Sequence, residues 1–311
     1  MKSEYTRWIS PAAIALWVIS TGILTFLPGS SLAASSSILS IGALVAFAMA
    51  HGRRRFGLKK MFGLFVIAVV LANMFENLSI STGFPFGHYV HTDAFGPKIF
   101  QVPAVVGPIF FSLCYIAWTL ATMLIGGPES PNDLRFLIGT PIVASFIVTG
   151  WDMCSDPIGA TIGGQWLFED GGAYFGVPLS NYLGWYLTTW AIIQTFNIFL
   201  AIRWVAPAVV RITYWYEVAI FWAAIGMQYP ILLVANPTTS VVYDTGGWAW
   251  RSGDILQNAT IVSIYTMIAA AVTSALAVTT RYNFLKREIL VNQLKGKSIS
   301  IMGDEYKSLN Y

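Results

Sequence analysis

Eight apolar runs, each about as long as a bilayer's hydrocarbon core is thick, constrain this chain more than any other feature. They fall at about 9–27, 32–51, 60–79, 103–126, 134–152, 181–203, 212–234 and 257–280. A helix of roughly 20 apolar residues crosses the ~30 Å of hydrocarbon. Only helices and closed barrels satisfy every backbone polar group in that medium. The runs are too long for barrel strands, so the sequence predicts an all-α polytopic transmembrane bundle of about eight spans. Composition agrees: 11% of residues are charged and 56% hydrophobic, against about a quarter charged in soluble domains. The first run has signal-peptide flanks, with Lys2 and Arg7 before it and Leu32-Ala33-Ala34 after it. It is longer than a usual signal-peptide apolar segment, and is read as a retained helix.

Charge placement orients the bundle. Of the 18 lysines and arginines, only Lys98 and Arg251 fall on the side of the second, fourth and sixth connections. The other side carries Lys2, Arg7, the Arg53-Arg54-Arg55 run and the basic residues from Arg281 onward. By the positive-inside rule both termini are expected in the cytoplasm of a bacterial or archaeal cell. The reading is one transmembrane domain over 1–288 and a polar cytoplasmic tail over 289–311. The net charge of +3, with no basic patch among base-stacking aromatics, excludes a nucleic-acid partner. Cys114 and Cys154 form no CxxC pair, which argues against a disulfide framework or a zinc site. Nothing in the sequence fixes an oligomeric state.

The non-cytoplasmic connections, about 80–102, 153–180 and 235–256, are long and rich in Gly, Pro and aromatics. Loops of such length are more often functional than mere spacers. Acidic residues within spans gather near them. Glu76 lies late in the third span, between Asn73 and Asn77; Asp152 ends the fifth, with Asp156 four residues on. Asp152 and Asp156 share a helix face if the helix reaches that far, although Pro157 is expected to limit it. Carboxyls inside a bilayer are costly and tend to be functional, but each has a plainer reading. Glu76 could cap or pair, and Asp156 could be a solvated interfacial group. Glu217, near the cytoplasmic end of the seventh span, could pair with Arg211 or serve the inner end of a cavity. His88 and His91 flank Tyr89 in the first long loop, where hydrogen bonding is a better reading than metal ligation. Trp166, Tyr174, Trp185, Tyr186, Trp248 and Trp250 could simply form an interfacial aromatic belt.

No phosphate-binding loop, nucleophile elbow, HExxH or His-rich di-iron pattern appears. Asp152-Met-Cys-Ser-Asp156 is a DxxxD, but no second aspartate-rich motif accompanies it, as a diphosphate-binding enzyme would need. What remains is carboxyls, aromatics and a greasy interior. A buried carboxyl keeps its proton and can protonate a trisubstituted alkene; aromatic faces stabilise the resulting cation. Capture by water gives an alcohol, and exclusion of water gives a ring. A proton-coupled solute transporter is a third possibility, though the sixth and eighth spans carry few polar residues for it.

Two blocks resemble a known family. The first is Thr82-Gly83-Phe84-Pro85-Phe86-Gly87-His88-Tyr89, running on to Gly96-Pro97 and Val102-Pro103; the second is Asp156-Pro157, Trp166 and Gly172 to Trp185. Together with Glu76 they resemble the membrane carotenoid-biosynthesis protein family, over roughly residues 60–200. That resemblance implies an integral membrane enzyme adding water to the terminal double bond of an acyclic carotenoid, with no organic cofactor; the sparse histidines and separated cysteines give no metal site. The resemblance and the acid chemistry together make Glu76, Asp152 and Asp156 the candidate catalytic groups, as proton donor and water-orienting base. Together they place Tyr89, Trp166, Tyr174 and Trp185 around the end group and Asn181 on an acid or a water, with His88 a further binding candidate; Glu217, outside the resembling blocks, is a binding candidate only as the inner end of a cavity.

Overall fold

The computed structural model describes residues 2–127, 130–208 and 210–283; the expected polar tail at 289–311 lies outside them. Among the described residues eight helices are long and apolar enough to cross a bilayer. We number them α1 (Lys2–Phe26), α2 (Leu32–Phe56), α3 (Leu58–Thr82), α4 (Val106–Ile125), α5 (Arg135–Ile162), α6 (Leu179–Ile202), α7 (Ile212–Ala235) and α8 (Ser252–Asn283). Their outward faces carry large apolar side chains, among them Ile19, Ile38, Val70, Phe146, Ile220 and Val234, all more than half exposed. Water would not tolerate that surface; lipid does. The protein is an integral membrane protein.

α4 is the axis. It packs against α2, α3, α5, α6 and α7, and its residues are the most completely buried of any span. α1 and α2 form a hairpin, with α1 reaching back to α7; there the Trp17 ring meets Phe221 edge-on at 5.6 Å.

The helices differ from the expected spans at their ends, and each difference has a local cause. α2 runs on to Phe56, so Arg53, Arg54 and Arg55 form its last turn, where cations suit the helix dipole. One residue, Gly57, then turns the chain into α3; its φ of 81° belongs to glycine. Pro157 does not end α5. The helix widens into a π turn over Pro157–Ile162, which makes room for the ring and for the carbonyl it leaves unpaired. α8 likewise starts at Ser252, inside the expected third long loop.

The long connections hold short strands. β1 (Tyr89–His91) pairs antiparallel with β4 (Trp166–Phe168); β2 (Lys98–Ile99) pairs with β3 (Val102–Pro103), and β5 (Val241–Tyr243) with β6 (Ala249–Arg251). The β1–β4 register sets Tyr89 opposite Phe168 and His91 opposite Trp166. Strand side chains alternate in face, so these four project to one side. Val90 and Leu167, between them, project to the other and are 42% and 38% exposed.

Candidate active site

The β1–β4 ribbon lies across the long-loop ends of α3, α4, α5 and α6. Beneath it is a cavity of about 70 Å³ whose wall includes Glu76, Asp156, Asn181, Trp151 and Trp185 as well as the four ribbon side chains. Local features hold the ribbon down. Ser79 Oγ, on α3, donates to the Gly87 carbonyl and accepts from the Phe86 amide, both at 2.8 Å. Phe86 lies on α6 where Gly184 leaves space; a Cβ there would meet the Phe86 ring at 2.5 Å. Lys98 Nζ donates to the His91 carbonyl at 2.7 Å, and Thr92 Oγ1 to the Gly164 carbonyl at 2.9 Å.

The carboxyls form two groups on facing walls. On α3, Glu76 accepts a hydrogen bond from the Tyr89 hydroxyl, and His91 Nε2 lies 3.2 Å from the same Oε2. On α5, the four-residue spacing puts Asp152 and Asp156 on one face, both buried. Asn181 bridges them: its Nδ2 donates to Asp152 Oδ2 at 3.0 Å and to Asp156 Oδ2. Asn181 sits in the first turn of α6, at the positive end of that helix's dipole. Asp152 Oδ1 meets no amide, hydroxyl or cationic donor among the described residues; the Asp156 carboxyl lies beside it. No lysine or arginine among the described residues forms an ion pair with any of the three acids.

Aromatic rings make the rest of the wall. Trp185 stacks on Phe110 at 4.2 Å and meets Trp151 edge-on at 5.5 Å. Trp166 lies over Gly159, where a Cβ would meet its ring at 2.3 Å; this glycine sets how deeply the indole reaches. These rings are therefore interior walls and not a surface belt.

Of the residues singled out from sequence, Glu76, Asp156, Tyr89, Trp166, Asn181 and Trp185 meet at this cavity, with Asp152 directly behind Asp156. Three do not. His88 is exposed, with its ring against Gly83; strand alternation turns it to the face opposite Tyr89. Tyr174 donates to Asn258 Oδ1 on α8 and meets Tyr182 edge-on at 5.4 Å. Burial, and less so Cys154, pushes its phenol up to about 12, so it remains a donor. Glu217 is at the opposite end of the bundle. Its partner is Arg54 of α2, which donates to both carboxylate oxygens, and not Arg211, which sits before α7 in extended backbone. Trp151, Phe86 and Phe168 were not assigned to the site from sequence, and His91 was read as a hydrogen-bonding loop residue without being placed there. For His91 and Phe168 the sequence carries no readable signal, because strands of three residues, 89–91 and 166–168, are too short to show a period.

A family model described as carotenoid biosynthesis protein matches residues 33–243. The chain belongs to that family. The matched segment takes in every residue named at the cavity, together with Glu217 at the far end, so membership alone does not choose between the two places. Over 128 residues the chain is 30% identical to a bisanhydrobacterioruberin hydratase of Haloarcula japonica. That alignment covers 40% of this chain and 41% of the relative, so the chain spans about two-fifths of the relative's length. No solved structure matches.

Proposed function

We propose that this member of the carotenoid biosynthesis family adds water across the terminal trisubstituted double bond of an acyclic carotenoid, at the cavity under the β1–β4 ribbon. One observation carries the reading: three buried carboxyls, none paired with a lysine or arginine among the described residues, gather at an aromatic-walled hollow that two of them line. The hydratase relative supports it.

Asp152 and Asp156 lie side by side under one bridging amide, an arrangement that two carboxyls hold best by sharing a proton. Asp156, which faces the cavity, is the donor in this reading, and Asp152 positions it. The Asp156 O–H bond breaks as a C–H bond forms at the less substituted alkene carbon, leaving a tertiary cation. Trp166 and Trp185 present π faces to that charge. Glu76, oriented by Tyr89 and His91, holds a water. As the water oxygen bonds to the cationic carbon, Glu76 takes its proton, and the proton is relayed back to Asp156. Alkene and water are consumed, one tertiary alcohol is made, and no redox equivalent is needed. In this reading the arginine end of the bundle faces the cytoplasm, as the charge asymmetry asks.

Expression in a host that makes lycopene tests the reaction. The expected product is an alcohol heavier by one water per modified end group. An isomer of unchanged mass would instead identify a cyclase, and unmodified lycopene would remove the reading.

A further inference from the structure

A second hollow, of about 450 Å³, adjoins the acid cavity and shares its walls at Ile109, Trp151, Ser155 and Trp166. It runs from there between the α1–α2 hairpin and α7, past Thr21, Thr25, Ser40, Leu44, Ile225 and Leu232. Among the residues that line it, Ser37 is exposed.

We propose that this groove holds the hydrocarbon tail of a linear isoprenoid whose reacting end occupies the acid cavity. The inference rests on the reading above only for what happens to that end. Size is the first argument. The acid cavity has room for a few waters or a branched chain terminus, whereas the groove is in the range of a small-molecule site. A long substrate has to continue somewhere, and the shared wall at Trp151 and Trp166 is where the two spaces join.

Chemistry is the second argument. The groove's hydroxyls are largely spent on their own helices. Thr21 Oγ1 donates to the Trp17 carbonyl at 2.8 Å, Thr25 Oγ1 to the Thr21 carbonyl at 2.9 Å, and Ser40 Oγ to the Ser37 carbonyl at 2.8 Å. What they turn toward the hollow is carbon. Gln165, Gln228 and Tyr229 also line the path, but most of its wall is carbon, and a polyene needs no polar partner.

The test is retention of carotenoid by protein purified from a lycopene-producing host. Ser40→Trp and Leu44→Trp fill the groove away from the acids and are expected to lower retained acyclic carotenoid per protein at least tenfold. Ile19→Trp, on the lipid-facing side of α1, is expected to retain as much as the unmodified protein. A second measurement does not depend on a bulky variant folding: Ser37→Cys should react with a thiol reagent at least fivefold more slowly when carotenoid is bound. Plugged variants that retain carotenoid in full, or an unchanged thiol rate, would overturn the groove. An unmodified carotenoid lost on plugging would leave the groove standing while refuting the hydration reading.

Discussion

The two ends of this bundle treat buried polar groups in opposite ways. At the arginine end, His51 is fully enclosed and fully bonded. Its Nε2 donates to the Tyr214 carbonyl at 2.8 Å, and its Nδ1 lies 2.5 Å from the Tyr115 hydroxyl, itself 3.0 Å from the Tyr214 hydroxyl. The His51 and Tyr214 rings stack at 3.8 Å. Glu217 beside them accepts from both terminal guanidinium nitrogens of Arg54, and Arg55 lies 4.5 Å over Trp215. Glu217 has a counter-charge in Arg54, Arg55 has an aromatic face, and each ring nitrogen of His51 has a partner. At the long-loop end, three carboxyls share one amide, one phenol and one imidazole, and two of them face a hollow. Both clusters sit in spans, and both mix acids with aromatics. The comparison teaches that an intramembrane acid becomes a candidate for chemistry when its partners are too few and a cavity stands in their place.

The sharpest way to break this contrast is to neutralise one acid at each end. Asp156→Asn and Glu76→Gln are expected to lower turnover by about 10²–10⁴-fold, the usual range for a positioned proton donor or acceptor, with folded protein still in the membrane. Glu217→Gln is expected to cost about 1–3 kcal/mol of stability, because it strands Arg54, and to leave turnover per folded molecule within twofold. Thermal unfolding in detergent beside a turnover assay reads both. Near-normal activity in Glu76→Gln would take that residue out of the mechanism.

The aromatic walls come next. Trp185→Leu removes a π face and is expected to cost roughly tenfold in turnover, in line with the ~1–2 kcal/mol of a desolvated cation–π contact. Trp185→Phe should recover much of it; equal losses in the two variants would point to packing. At the arginine end, Tyr115→Phe removes the hydroxyl beside His51 Nδ1 and should cost about 1 kcal/mol of stability with no change in turnover. The smallest contrast lies within one loop. His91→Phe, which loses the contact to Glu76, should slow turnover several-fold, and His88→Ala less than twofold. A reversed order would mean that the ribbon's faces are misassigned.

These pairs also show what was readable in the chain. Helix number and the approximate place of every span follow from hydropathy, because the bilayer sets length and polarity together. The carboxyls of α3 and α5 were legible as costly residues at helical spacing, and so were the ring-bearing positions around them. The strands were not, since two or three residues in a loop give too little pattern to register as a run. That is why His88 was preferred to His91: only an extended backbone at 89–91 puts His91 beside Tyr89. Glu217's partner was hidden for a different reason. Arg54 is 163 positions away, and nothing local to α7 announces it. Pro157 misled because its usual effect on a helix is avoided here by a π turn.

The most direct test is to run the reaction in deuterium oxide enriched in oxygen-18, with purified protein in a bilayer and an acyclic carotenoid as substrate. The account predicts an alcohol with one carbon-bound deuterium and one heavy oxygen per modified end, formed by the unmodified protein and lost in Asp156→Asn and Glu76→Gln. A product with deuterium but no heavy oxygen, or full labelling by either variant, would contradict it.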